Sequence, residues 1–407
     1  MTTRQAGPGA PTYGRILAMP EFRAIFLAQL IATLGNVIAQ ITLSVLVYQR
    51  SGSPLLSALT FALGFAPYLL GASLVSAVAD RYPSRRVLVA CEVVSCAVVA
   101  VMAVPGMPIP VLLGLLLVLG TVAPVFQGTR AASLPEVLSG AGYALGRSLL
   151  RMVSQTTQIA GFGVGGVVLI FLSPSQALLI PVAGFAASAL LLRFGTRPRP
   201  ARQAVASASI ARASLSGVRE VFAVKGLRPL LFMTWLPPMF AVAPEALAAP
   251  YAAQSGGGST ALVGLLLCAA PLGSVVGEVL SGTLLRPAQR VRWVVPVAAV
   301  MFVPLLGFAL QPRPLVAAGL MFLCGLGFTY AMGLDQRTLD VVPETLRGRA
   351  LTVTTAGLMV GQGVGFAAAG AAAEFLPAHV VVLSAGVAGL ATLVLCGPAI
   401  STKRSAE

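Results

Sequence analysis

Along the chain, long stretches of apolar residues with almost no polar face alternate with short polar turns. The stretches run over 22–48, 55–79, 87–105, 109–128, 145–172, 175–193, 229–252, 260–285, 291–311, 314–334, 349–374 and 378–400. About 20 apolar residues in a helix cover the ~30 Å hydrocarbon core of a bilayer, so this pattern predicts twelve membrane-spanning helices. An irregular backbone cannot face hydrocarbon, which places every turn in water or headgroups. The turns carry the expected breakers: Ser51-Gly52-Ser53-Pro54, Pro105-Gly106-Met107-Pro108, Ser173-Pro174-Ser175, Gln254 to Gly258 and Gln311-Pro312-Arg313-Pro314.

The interruption at 194–228 is longer and basic, holding Arg197, Arg199, Arg202, Arg212, Arg219, Lys225 and Arg228. It divides the chain into a tail (1–21), six spans (22–193), a linker (194–228), six spans (229–400) and a second tail (401–407). Within the linker, Ile210, Leu215, Val218, Val221 and Phe222 form a partial apolar face against Arg212 and Arg219. That suits either a helix lying on the membrane surface or a solvated basic linker.

Composition agrees with the pattern. The 407 residues are 57% hydrophobic and 10% charged, and mean hydropathy is +0.91, outside the range of soluble domains, which carry about 25% charged residues. A net charge of +15 raises nucleic acid as a partner, but position explains it otherwise. If the spans alternate from a cytoplasmic N-terminus, all 27 Lys and Arg except Arg50 and Arg313 fall in one set of loops or on adjoining helix ends. That is the positive-inside asymmetry, and it predicts both termini in the cytoplasm. With no apolar core in 1–21, the first run is expected to remain as an anchor rather than a cleaved signal.

Five cysteines lie within predicted spans and read as small apolar fillers without a disulfide framework. Lysine occurs only at 225 and 403 and histidine only at 379, so neither a GxxxxGK phosphate loop nor a His-based metal site can be assembled. No cofactor is expected. A membrane-embedded enzyme would need a nucleophile with its base, or metal ligands at depth, and no such constellation is present.

The two halves repeat each other. Arg130 to Glu136 follows the fourth run and Arg337 to Glu344 follows the tenth, each ending in Pro-Glu. Each leads into a run with clustered glycines: Gly161, Gly163, Gly165 and Gly166, then Gly361, Gly363 and Gly365. A duplication of this kind puts a site where two equivalent bundles meet, near the midplane. The glycines suit close helix packing or sliding, and Pro237 and Pro238 suggest a hinge in the seventh run.

Polar groups inside the spans are the candidate chemistry. Gln29, Thr33, Asn36, Gln40 and Ser44 recur at steps of three and four, one face of a helix, which lines a cavity or bonds to neighbouring helices. Ser148, Arg151, Gln155 and Gln158 make a similar stripe in the fifth run, and Trp235 joins Gln155 and Gln158 as a cavity candidate. Glu278 lies eight residues before Arg286, about 12 Å deep, where a carboxylate must be protonated or paired. Glu278 and Glu245 are therefore the candidates for proton coupling. Glu92 reads as a salt-bridge partner of Arg85 or Arg86. Asp80, at a helix C-terminus, needs a cationic partner from Arg81, Arg85 or Arg130.

On these residues the chain, from Phe22 to about Ile400, resembles the major facilitator superfamily. The family's loop between helices 2 and 3 reads Gly-x-x-x-Asp-Arg-x-Gly-Arg-Arg or Lys; Asp80, Arg81 and Arg85 match it, while Ser76, Pro83 and Ser84 depart from it. Ala28-Gln29-Leu30, Leu34-Gly35, the Gly52-Ser53-Pro54 turn and Arg130 with Leu134-Pro135 are similar to the bacterial drug, macrolide and siderophore exporters. The helix 5 antiporter signature ends Gly-Pro-x-x-Gly-Gly, and here the prolines are absent at Gly161 to Gly166.

The resemblance implies an all-α integral membrane protein of twelve helices in two pseudo-symmetric six-helix bundles. It also implies a cytoplasmic gate of Asp80, Arg81, Arg85, Arg86 and Arg130, with Asp335 and Arg337 as its second half; simple helix termination by these charges is the alternative. The implied function is a monomeric secondary exporter of small amphipathic compounds in a bacterial cytoplasmic membrane, driven by protons. An importer or facilitator of the same fold is the alternative, and a non-transporting membrane sensor is the reading from a different class.

Overall fold

A computed structural model describes residues 13–67, 82–138, 141–199, 220–224, 226–255 and 260–401. The described chain is 88% helix without strands. The principal helices are α1 (Pro20–Ser51), α2 (Pro54–Phe65), α3 (Ser84–Met102), α4 (Ile109–Val137), α5 (Ala141–Phe171), α6 (Leu179–Gly195), α7 (Leu227–Ala241), α8 (Thr260–Leu284), α9 (Val294–Leu306), α10 (Pro314–Gly327, resuming as Tyr330–Val341), α11 (Arg347–Ala372) and α12 (Ala378–Ser401). Eight helices among the described residues are long and apolar enough to cross a membrane. A bent pair, Leu227–Ala246 with Ala248–Gln254, adds a ninth if it is one span, and Pro54–Phe65 and Val294–Leu310 are shorter apolar helices.

The turn chemistry sets the helix ends. Gly52, at φ 68°, takes the left-handed conformation that ends α1 and donates its N–H to the Tyr48 carbonyl. Ser53 then caps α2 by accepting from the Leu56 N–H, and Pro54 occupies the first helical position, where it has no N–H to lose. The hinge expected at Pro237 and Pro238 is displaced. Both prolines remain inside α7, and the 41° bend falls after Pro244, where Ala243–Ala246 meets Ala248–Gln254. Consecutive prolines each lose a backbone bond, but the chain turns only where two short helices break the ladder in succession.

In the first half, α1 packs against α5, α6 and α2, and α3 against α6 and α4. In the second, α8 packs against α10, α7 against α11 and α12, and α9 against α10 and α12. The halves join through α2 with α11 and α5 with α8.

Ion pairs gather at the end of the molecule where α1 and α3 begin and α4 and α6 finish, the charged end. Arg199 grips Glu21 with two hydrogen bonds of 2.6 and 2.9 Å, the Arg197 N–H adds a third at 3.0 Å, and Glu136 lies 3.8 Å from the Arg199 Nε. The Glu21 carboxylate holds the Arg199 guanidinium above its usual pKa. In the second half Arg349 pairs with Glu220 at 2.6 Å and Arg347 with Glu344 at 3.0 Å. Glu136 and Glu344, the acids of the two Pro-Glu repeats, thus both take arginine partners. Residues 200–219 and Lys225, which carry most of the expected linker helix, lie outside the described residues; Val221 is fully buried.

Candidate functional site

The two halves touch most closely away from the charged end. A Cβ on Gly166 of α5 would stand 2.6 Å from the Gly264 Cα of α8, and one on Gly264 would stand 2.5 Å from the Gly166 Cα. Only paired glycines allow that approach. Nearby, the Thr260 hydroxyl donates to the Leu169 carbonyl at 2.9 Å. On the other side of the seam, Phe366 of α11 stacks on Phe61 and Phe65 of α2 at centroid distances of 5.1 and 5.7 Å.

Beyond the end of α11, Glu374 reaches across this seam. Its carboxylate accepts from the Ser53 hydroxyl and from the Leu55 N–H at 3.0 Å, so an acid from the second half caps a helix of the first. Glu374→Ala removes both bonds. A charge-assisted bond contributes about 1.5–3 kcal/mol, so a cysteine at Ala62, buried under the seam, should be labelled by maleimide roughly ten times faster in Glu374→Ala; an unchanged rate would show that the latch does not hold the seam.

Toward the charged end the corresponding faces of α5 and α8 are exposed. Fourteen residues separate Gly166 from Met152 on α5, and fourteen separate Gly264 from Glu278 on α8. At about 100° per residue fourteen steps return to within about 40° of the same face, about 21 Å along the axis. Met152 and Glu278 therefore sit on the faces that meet at the glycines, yet Met152 is 58% exposed and Glu278 is exposed. No hydrogen bond or ion pair to Glu278 occurs among the described residues. Hydrophobic packing follows the same division: one core unites Val37, Ile41, Phe61 and Phe162 with the second half, whereas the core of Phe22, Leu88, Leu134 and Leu150 is built from the first half alone.

The other expected residues distribute as follows. Asp80 and Arg81 lie outside the described residues. The Arg85 guanidinium donates to the Arg193 carbonyl at the end of α6, capping that helix. Arg86 is exposed. Arg130 bonds Gln127 at 2.5 Å, and its buried Nε and Nη1 have no hydrogen-bond partner among the described residues. Asp335 and Arg337 lie on the second segment of α10, and both are engaged by neighbours. Arg290 caps α8 through the Ser281, Gly282 and Leu285 carbonyls.

The α1 stripe divides between its two expected uses. Gln29 donates to Thr33 at 2.8 Å and to Ser154 of α5 at 3.2 Å, whereas Asn36 is exposed, bonds the Ala32 carbonyl at 3.0 Å and lines a small polar pocket with Gln29 and Thr33. Gln40 is half-buried and Gln158 exposed. Gln155 lies on α5, in the stripe with Gln158. Trp235 packs between α7 and α11: its indole N–H donates to the Thr354 carbonyl at 3.0 Å, and its ring occupies the space a side chain at Gly357 would need. Glu245 sits in the short helix at the α7 break, without a hydrogen bond among the described residues.

The expected Glu92 salt bridge is not formed. Glu92 points into the interior between α3 and α6 and is 3% exposed, away from Arg85 and Arg86. Its spacing from Arg86 is compatible with an ion pair, but α6 and its Ser188 cover that face of α3. Sequence reasoning also missed Glu374, since 319 residues separate it from Leu55.

Long apolar helices in two similar halves, together with a family match over nearly the whole chain, make this a multi-pass membrane transporter of the major facilitator type, not an enzyme. Residues 14–403 match the model of the transmembrane secretion effector family, and the chain belongs to that family. The multidrug efflux pump Tap of Mycolicibacterium fortuitum is 27% identical over 349 residues, covering 81% of this chain and 83% of that protein. Among solved structures, the nucleoside transporter NupG superposes with a TM-score of 0.75 at 14% identity, covering 93% of this chain and 99% of its own. A bacterial homologue of the iron transporter ferroportin in its inward-facing state gives 0.67 at 15% identity, covering 96% and 98%. At such identities these structures share the fold with this chain.

Proposed function

We propose that this protein exports small amphipathic or hydrophobic compounds across a bacterial cytoplasmic membrane by alternating access, driven by proton entry. The observation that carries this reading is the seam: packed shut at one end by Gly166, Gly264, Phe61 and Phe366, with the same helix faces exposed at the other at Met152 and Glu278. Helices α1 to α6 and α7 to α12 act as two six-helix bundles, with 194–228 as the linker. With the charged end in the cytoplasm, as the arginine distribution favours, the exposure of Met152 and Glu278 at that end supports an inward-open form of that cycle. The name of the 27% identical relative, a multidrug efflux pump, supports the outward direction.

Glu278, on the exposed face of α8, and Glu245, at the α7 break, are the coupling candidates within the cleft. Asp80, Arg81, Arg85, Arg86 and Arg130, with Asp335 and Arg337, form the inner gate. Gln29, Thr33, Asn36, Gln40, Gln155, Gln158 and Trp235 flank the cavity. Everted membrane vesicles loaded with a pH-sensitive dye test the reading. Addition of ethidium and other amphipathic cations or neutral drugs should evoke proton release from energised vesicles containing the protein; drug accumulation without proton release would remove the coupling, and no accumulation of any compound would remove export.

A further inference from the structure

We propose that the polar pocket enclosed by α1, α3, α4 and α6 is a proton-binding site, with Glu92 as the proton acceptor, in addition to the coupling carboxylates Glu278 and Glu245. This rests on the exporter reading above, to which it adds a coupling site.

The pocket has a volume of about 40 Å³ and is lined on its polar side by Gln29, Thr33, Asn36, Glu92, Ser95 and Gln127. Glu92 is 3% exposed and Gln29 2%. The Glu92 Oε2 and the Gln29 Oε1 are both buried without a hydrogen-bond partner among the described residues. Two unmet acceptors thus belong to residues lining one pocket, and a buried acceptor left unmet costs about 1–3 kcal/mol. Ser188 of α6 hydrogen-bonds the Glu92 carboxyl group and also stands 3.3 Å from the Ala28 carbonyl, so its single proton is shared between two acceptors and leaves the Glu92 Oε2 unmet. The Gln29 amide already gives its hydrogens to Thr33 and Ser154.

One proton on Glu92 resolves this arrangement. As a carboxylic acid Glu92 becomes a donor to the acceptors around it, and on release of the proton it leaves a carboxylate facing neutral amides and hydroxyls.

Other charges stand apart from the pocket. On α1, Glu21, Arg23 and Arg50 lie at the helix ends; on α6 the only charge is Arg193 at its last turn; on α3, Arg85 and Arg86 open the helix; Cys91 is the one other titratable group in the lining. On α4, Glu136 lies in the last turn beside Arg199, and Arg130 connects to the pocket through its bond to Gln127. That bond gives the pocket's protonation state a direct contact with the inner gate.

The test is infrared-detected pH titration of the purified protein in nanodiscs, together with transport in proteoliposomes. Wild type should show a protonated-carboxyl stretch that disappears as pH rises. Glu92→Gln, which keeps shape and a donor, should lack that band. Gln29→Leu should retain the band at a shifted frequency, because the acceptor beside it is gone. The same band in Glu92→Gln, or identical frequencies in wild type and Gln29→Leu, would overturn the proposal, and so would displacement of the band by sodium at constant pH, which would make the pocket a metal-cation site.

In proteoliposomes, Glu92→Gln should lose at least about tenfold of the pH-gradient-driven accumulation of ethidium while keeping ethidium exchange at equal concentrations. Full gradient-driven accumulation by Glu92→Gln would overturn the coupling role. Absence of ethidium movement in wild type bears on the exporter reading, whereas the infrared band decides the proton site independently.

Discussion

Gly264→Val should abolish transport while leaving the protein inserted and folded, because the structure has no room for a side chain where α5 and α8 meet. A Cβ there falls 2.5 Å from the Gly166 Cα, below any normal carbon contact, and backbone is not a neighbour that can rotate away. Overpacking of this kind costs about 1–3 kcal/mol, and it penalises only the state in which the glycines touch. Each 1.4 kcal/mol shifts a two-state equilibrium about tenfold, so the inward-open form drops from the major to a minor species. The cysteine probe at Ala62 should become labelled within the dead time of an assay in which the parent protein reacts slowly. Gly163→Ala is the control. It lies in the same glycine cluster, has nothing within 4 Å of its would-be Cβ, and should transport normally. Equal transport by the Gly264 variant and the control would refute the glycine contact as the closing surface.

Glu278→Gln is the second large effect. Glu278 occupies the α8 face that meets α5 at the glycines, is exposed, and lies about 12 Å from Arg286 along the helix. A carboxylate in such a position can hold either a proton or a cationic group of a passing compound, whereas a glutamine can hold neither. Glu278→Gln should therefore lose gradient-driven ethidium accumulation by at least about tenfold, equivalent to about 1.4 kcal/mol. Glu278→Asp should recover part of it. If Glu278→Gln pumps at the parent rate, the residue faces lipid or solvent without consequence, and Glu245 becomes the remaining cleft carboxylate to test.

The sequence made the helices legible because membrane spans are written in one variable, apolar length, and the turns at Gly52-Ser53-Pro54 and Pro312 to Pro314 punctuate them clearly. The glycine clusters of α5 and α11 marked close helix contacts in the sequence, but the partner of Gly166, Gly264 of α8, was not marked, since a lone glycine in an apolar run carries no signal of what it meets. Partners were not readable. Which helix Glu278 faces depends on how α5 and α8 lie against each other, and eight residues of spacing from Arg286 do not carry that. Glu92 looked like a surface ion-pair residue because Arg85 and Arg86 are its neighbours in sequence, while Arg85 instead caps α6 and α6 covers the carboxylate. Glu374 was silent for a plainer reason: its role as the cap of α2 exists only once the two halves are folded together.

The position of the glycine contact has a mechanical consequence. It lies about 21 Å along α5 and α8 from Met152 and Glu278, so one pair of rigid helices spans both rims of the seam. A relative tilt of about 10° displaces points about 21 Å apart by about 4 Å, the width of a methylene chain. A small tilt thus suffices to shut one rim while the other admits a compound, and a helix pair with bulky residues in place of the glycines would reach its stop before the rim had closed.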